Sequence, residues 1–304
     1  MKTDDSLKAQ QNTGYLCILA AGVLWGSIGF FVRELSLLGA GGMLASFMRI
    51  FSAWVILVPL LFFLGRHTGI NYFKISKKGL LQCLFLGICT QALFNAAYSN
   101  CINTVGVGAA SVLLYTEPVF VCVFSRMLFK EQIGPRKGIS LVINLLGCFL
   151  MVTGGDLSVL KGPLTGILCG IASGFLYSLI TIVGKVTMEE THPFTLVFYN
   201  FLFGWIALAV MENPVPAIAA VSSPAFWLLG FGFGLIPTVG SYLFYMSGIS
   251  KGIELTRAPI IASVEPIVAA LIGLLLFHES LGPVNTIGLA AVLFSIVLMN
   301  TGKN

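Results

Sequence analysis

Apolar residues in this chain do not alternate with polar ones; they run together. Ten apolar runs, 15–33, 43–64, 79–99, 108–128, 137–154, 164–184, 194–211, 226–249, 257–277 and 284–300, are separated by short polar gaps. A helix needs about 20 apolar residues to cross the hydrocarbon core of a bilayer, whereas membrane strands alternate. The pattern therefore predicts ten transmembrane α-helices. The largest gaps, around 65–78 and 212–225, are too short to hold a folded domain. The first run follows a tail, 1–14, carrying Lys2 and Lys8, and no small-residue cleavage site follows it. It reads as a retained helix and not as a cleaved signal.

Composition closes off the alternatives. Only 10% of the 304 residues are charged and 57% are hydrophobic, whereas a soluble domain carries about 25% charged residues. Mean hydropathy is +0.95. A soluble enzyme, a nucleic-acid module and a disordered chain are excluded, and the net charge of +5 is scattered over short gaps. Six of the seven cysteines (Cys17, Cys83, Cys89, Cys122, Cys148, Cys169) sit inside apolar runs as small hydrophobes, and Cys101 lies near the end of one; no disulfide is expected. His67, His192 and His278 lie in or beside gaps. No histidine-based haem or metal site is expected within the membrane, and no cofactor.

The distribution of basic residues orients the bundle. With the amino terminus in the cytoplasm, Lys2, Lys8, Arg66, Lys74, Lys77, Lys78, Arg126, Lys130, Arg136, Lys137, Lys185, Lys251, Arg257 and Lys303 fall on the inner side, and only Arg33, Arg49 and Lys161 on the outer. A multi-pass protein of the cell (plasma or inner) membrane with both termini cytoplasmic is expected.

The chain also repeats itself. Residues 117–154 match 265–302 at 14 of 38 positions, including Glu117-Pro118 with Glu265-Pro266, Glu131 with Glu279, and Gly134-Pro135 with Gly282-Pro283. The first runs align at a shift of 152, where Cys17, Ala20, Gly22 and Leu24 meet Cys169, Ala172, Gly174 and Leu176, Trp25 meets Tyr177 and Arg33 meets Lys185. The repeat divides the chain into two five-helix units, 15–154 and 163–301. An odd number of spans forces the second to enter the membrane upside down, a recurring plan of secondary transporters with substrate near the midplane.

Trp25-Gly26-Ser27, Glu117-Pro118 and the Glu-x-x-Gly-Pro after them, set in a duplicated five-helix unit, resemble the EamA-type drug/metabolite transporters over about 15–301. The resemblance implies an exporter of small metabolites such as amino acids, carboxylates, amines or drug-like compounds. It also implies a central cavity between the halves, with the fifth and tenth spans peripheral. It selects no substrate.

Ionisable groups inside a membrane are costly and usually functional. Three stand out: Arg49, Glu117 and Glu265. At a rise of about 1.5 Å per residue, Arg49 and Glu117 fall at depths compatible with an ion pair between spans two and four. The counterpart of Arg49 in the second half is about Asn200, which is neutral. Glu265 thus lacks an obvious cation in its own half. Three roles stay open for it: carrying a coupling proton, capping freed backbone, and pairing with a substrate amine. Pro118 and Pro266 cannot donate to the carbonyls of Leu114 and Ala262, so both Glu-Pro steps should face protein or a wet cavity.

Gln91, Asn95 and Tyr98 form a polar stripe at i, i+4, i+7, and Thr238, Tyr242 and Tyr245 repeat it 147 residues later. The stripes read as cavity lining or as helix–helix glue. Trp25 and Tyr177 offer aromatic faces to an organic or cationic substrate, or pack. Glu131 and Glu279 read as helix-end or loop anchors, and Lys74, Lys77 and Lys78 as topology and attraction to lipid headgroups. The expected partners are a small-molecule substrate, membrane lipids and, for a coupled carrier, protons; nucleic acid is not one, and a homodimer is left open. An alternating-access exporter is the leading reading, with a passive facilitator or channel as the alternative. A membrane enzyme is disfavoured, because no nucleotide-binding motif, catalytic histidine or paired-carboxylate metal motif is present.

Overall fold

The structure, a computed structural model, describes residues 4–300, the side chains of Asp4, Asp5, Leu7 and Lys8 excepted. Lys2, Lys303 and the Thr301-Gly302 end of the repeat lie outside the described residues. The described chain is all-helical, with ten helices long and apolar enough to span a membrane: Ala9–Leu37, Gly42–Thr68, Lys77–Val105, Val107–Leu128, Pro135–Thr153, Leu164–Thr187, Pro193–Met211, Pro224–Ser250, Leu255–Phe277 and Pro283–Asn300. They are numbered spans 1 to 10 in chain order. Large apolar residues such as Phe63, Met127, Leu228 and Leu275 stand exposed on them, as lipid-facing positions require. The gap around 212–225 holds a short helix, Pro214–Val221, started by Asn213 accepting from the Val215 amide and by a proline in the first turn.

Packing follows the duplication. Span 1 packs on spans 8 and 9, and span 6 on spans 3 and 4; span 2 meets span 7 and span 8, and span 7 meets span 3. Spans 5 and 10 pair chiefly with each other. Exchanging each span for its counterpart five places along reproduces the same set of neighbours, as two inverted five-helix repeats require.

Five spans are interrupted, four of them in two related pairs. Span 4 breaks at Tyr115-Thr116 and restarts as Glu117–Leu128; span 9 breaks at Ser263 and restarts as Val264–Phe277. Pro118 and Pro266 occupy the first turn of the restarted helix, where a missing N–H costs nothing. The carbonyls near these breaks meet glycines of the neighbouring span. A Cβ on Gly22 would stand 2.7 Å from the Ala262 oxygen, and one on its counterpart Gly174 would stand 3.1 Å from the Leu114 oxygen. Spans 3 and 8 each contain a π-helical turn, Gly87–Leu93 and Leu235–Gly240. In the second, Pro237 cannot donate to the Phe233 carbonyl, and the Thr238 hydroxyl donates to it at 2.8 Å. Span 1 is also broken, at Gly26-Ser27, whereas span 6 runs without a break.

Candidate functional site

One cavity of about 190 Å³ opens between the halves. Its walls come from the helix breaks. Trp25 and Ile28 flank the interruption of span 1, Tyr115, Glu117 and Pro118 that of span 4, and Ser263 and Glu265 that of span 9. Restarting a helix at Glu117 and at Val264 sets each carboxylate in the first turn, where the helix dipole favours an anion. Arg49 reaches the cavity from span 2, Asn95 and Tyr98 from span 3, Tyr177 from span 6 and Tyr245 from span 8.

The cavity is one-sided. Val32, Gly42, Ser46, Ser99 and Ile102 line it toward the end of the bundle where spans 1 and 3 finish. Toward the other end, which carries most basic residues, Trp25 forms a floor. Its ring packs edge-on or tilted against Tyr177, Tyr242 and Tyr245 at centroid distances of 6.1, 5.7 and 5.0 Å, and Tyr245 shares a 2.7 Å hydrogen bond with Thr181. Beneath it, Ile18, Ala21, Met246 and Ile249 are wholly buried. Gly14 and Gly248 close the seam: a Cβ on Gly248 would stand 2.8 Å from the Gly14 oxygen.

The electrostatics differ from the sequence expectation in one respect. Arg49 forms no ion pair with Glu117. Among the described residues neither cavity glutamate hydrogen-bonds a side chain, and the Arg49 Nε is buried with no hydrogen-bond partner. The guanidinium lies 5.7 Å from the centre of the Phe233 ring, on the wall of the cavity that both glutamates also line. Matching depths fix one coordinate of a side chain and leave its azimuth around the helix open. Three ionisable groups thus line one cavity without an ion pair among them.

The polar stripes divide. Asn95, Tyr98 and Tyr245 line the cavity, but Gln91, Thr238 and Tyr242 do not. Gln91 Nε2 donates to Asn200 Oδ1 at 3.1 Å and to the Tyr242 hydroxyl at 3.3 Å, and Asn200 Nδ2 to Thr90 Oγ1 at 3.4 Å. These residues tie spans 3, 7 and 8 together. The π-helical turns are the cause: an extra residue in the turn rotates Gln91 and Thr238 away from the face that α-helical spacing assigns them. Pro266 is buried outside the cavity wall, and Asn200 belongs to the buried tie. Tyr115, Phe94, Phe233, Ser46 and Ser263 line the cavity although sequence reasoning does not single them out; Tyr115 and Ser263 sit two residues before the glutamates, the one local signal available.

Comparison with known proteins agrees with this architecture. The sequence model of the EamA-like transporter family matches twice, over residues 12–153 and 164–301. A protein of Archaeoglobus fulgidus named as an uncharacterized transporter is 29% identical over 290 residues, which cover 94% of this chain and 95% of the relative. The uncharacterized inner membrane transporter YicL of Salmonella typhimurium is 25% identical over 94% of this chain and 95% of its own. A solved structure titled only as the crystal structure of a protein superposes with a TM-score of 0.76 at 12% identity, over 95% of this chain and 98% of that one. That likeness concerns the fold alone.

Proposed function

Because the chain belongs to the EamA-like transporter family, we propose that it is a secondary active exporter of a small organic metabolite, working by alternating access and coupled to protons. The observation that carries this reading is the one-sided cavity in which Glu117 and Glu265 lie at pseudo-symmetric helix breaks, with Arg49 facing the same space from span 2. On the orientation expected from the basic residues, the open end faces outward and both termini are cytoplasmic.

The chemistry of the chamber supports a zwitterion, an amine or an amphipathic organic cation as cargo. Arg49 offers a guanidinium to a carboxylate, the glutamates offer anions to an ammonium, and the aromatic wall of Trp25, Tyr115, Tyr177 and Tyr245 offers faces to an apolar or cationic body. Glu117 and Glu265 line the same chamber, so a proton bound by either changes the field at the other, and in the proposed cycle proton and cargo compete for the same anions. Sequence reasoning leaves a coupling proton as one of three roles for Glu265; with both carboxylates lining one chamber, the pair is the better unit.

The packed floor beneath Trp25 favours a carrier over a passive pore. The test is flux in proteoliposomes over a panel of amino acids, carboxylates and amines. Saturable counterflow, driven by an imposed pH gradient and losing that drive in the Glu117→Gln, Glu265→Gln double variant, is expected. Flux that rises linearly with concentration and shows no counterflow overturns the carrier reading, and counterflow indifferent to the pH gradient overturns the coupling.

A further inference from the structure

At the basic end, the segment after span 4 reaches across to the other half. The Glu131 carboxylate accepts hydrogen bonds from the Leu255 and Thr256 amides at 2.7 and 3.1 Å, the first amides of span 9. Lys137 Nζ donates to the Gln132 carbonyl at 2.8 Å and to Glu254 Oε1 at 2.9 Å, and Arg257 donates to the other Glu254 oxygen. Lys137 is only 8% exposed, a position a cation holds only when paired. Glu131 and Lys137 belong to the first repeat and residues 254–257 to the second. These bonds therefore clasp the halves together beneath the closed floor of the cavity.

The shift of 148 residues that superposes the repeats carries Glu131 onto Glu279, and Leu255-Thr256 onto Val107-Gly108. The backbone anchors match: the Glu131 amide donates to the Ser125 carbonyl at 3.2 Å, and the Glu279 amide to its counterpart, Gly273, at 3.0 Å. The side chains do not. The Glu279 carboxylate turns to Arg33 at 2.9 Å, with the Arg33 guanidinium also 3.9 Å over the Phe277 ring. The helix that starts at Val107 has Gly106 before it and no side-chain cap, and Val107 is 63% exposed. Two copies of one motif thus stand in opposite states, engaged at the closed end and disengaged at the cavity mouth.

We propose that Glu131 and Glu279 are alternating latches. In the mouth-open form seen here, Glu131 caps span 9 and holds the basic end shut. When the halves exchange conformations, Glu131 lets go of Leu255 and Thr256, and Glu279 leaves Arg33 to cap Val107 and Gly108 and shut the mouth. The repeat supplies the waiting cation as well: Arg33 corresponds to Lys185, which takes the released Glu131. This latch rests on the alternating-access reading and adds the residues that set its balance.

Site-resolved alkylation tests it without a known substrate. Cysteines introduced as Ile249→Cys, in the closed floor, and Ser46→Cys, at the mouth, are labelled in the membrane-embedded full chain and read peptide by peptide by mass spectrometry. Glu131→Ala removes a charge-assisted cap, so labelling at 249 is expected to rise about fivefold or more while labelling at 46 falls. Glu279→Ala shifts the ratio the opposite way, and the double variant returns it toward the parent. Gly14→Leu serves as the control, because a side chain there collides with Ile253 and the Gly248 carbonyl and wedges the basic end open. If Gly14→Leu moves the two reporters reciprocally and Glu131→Ala does not, or raises both together, the latch is wrong and alternating access stands. If no variant moves them reciprocally, the alternating-access reading itself fails.

Discussion

Gly26 and Glu265 meet backbone to backbone behind the cavity wall: a Cβ on Gly26 would stand 2.8 Å from the Glu265 carbonyl oxygen and 2.5 Å from the Val268 Cβ. The break in span 1 is thereby pressed against the break in span 9, and the position of the Glu265 side chain depends on a hydrogen atom at residue 26. Gly26→Ala is expected to destabilise the protein by about 1–3 kcal/mol through overpacking and to lower transport further than stability alone explains. Gly29, three residues on, has nothing within 4 Å of such a Cβ. Gly29→Ala is expected to leave the melting temperature in detergent unchanged or slightly raised. Equal losses in the two variants would argue against the contact.

The division of the polar stripes predicts two kinds of variant. Gln91→Leu breaks the buried tie to Asn200 and Tyr242, so it should lower thermal stability by about 1–2 kcal/mol with little change in the KM of transport. Asn95→Leu, on the cavity wall, should do the reverse. Stability melts and saturation curves on the same preparations check both.

Asn144 holds the break in span 9 from outside. It is wholly buried on span 5, accepts from the Ser263 hydroxyl at 3.2 Å and donates to Ser295 on span 10 at 3.0 Å. Asn144→Leu should cost about 1 kcal/mol. A double-mutant cycle with Ser295→Ala should show coupling, because the two share one hydrogen bond; additive effects would count against the link.

His192 gives the loop between spans 6 and 7 a pH dependence. Its Nδ1 accepts the Phe194 amide at 3.1 Å as a helix cap, and its ring packs on Tyr72 and Phe194. Partial burial holds its pKa below the usual imidazole range. The unfolded chain then binds the proton more readily than the folded one, so this contribution to stability is complete above the ordinary histidine pKa and is lost as pH falls from there through the lowered folded-state value. Melts from pH 7.5 to 5.5 should show a smaller acid loss in His192→Asn, which keeps a capping oxygen and cannot titrate there.

The spans were legible because lipid allows apolar residues no substitute, so a run such as 164–184 announces itself; span 6 occupies Leu164–Thr187. The breaks were legible because proline marks them at Pro118 and Pro266. Azimuth was not. Neither the turn of Arg49 away from Glu117 nor the rotation of Gln91 at a π-helical turn leaves a trace in spacing, since both depend on neighbours a hundred residues away. Glu131 reads correctly as a helix-end anchor, but the helix it caps starts at Leu255, in the other repeat. One sequence separation does not announce such a contact; the repeat register recovers it once the bond is seen.

Arg49 and Asn200 occupy corresponding places in the two halves and do different work, one exposed to the cavity and the other locked in the buried tie. A duplicated carrier with identical halves would be isoenergetic facing either way, and its empty form would divide evenly between the two orientations. In the cycle proposed above, a cation present in one half only is one of the differences that lift this degeneracy, and it would bias the unloaded protein toward one resting orientation.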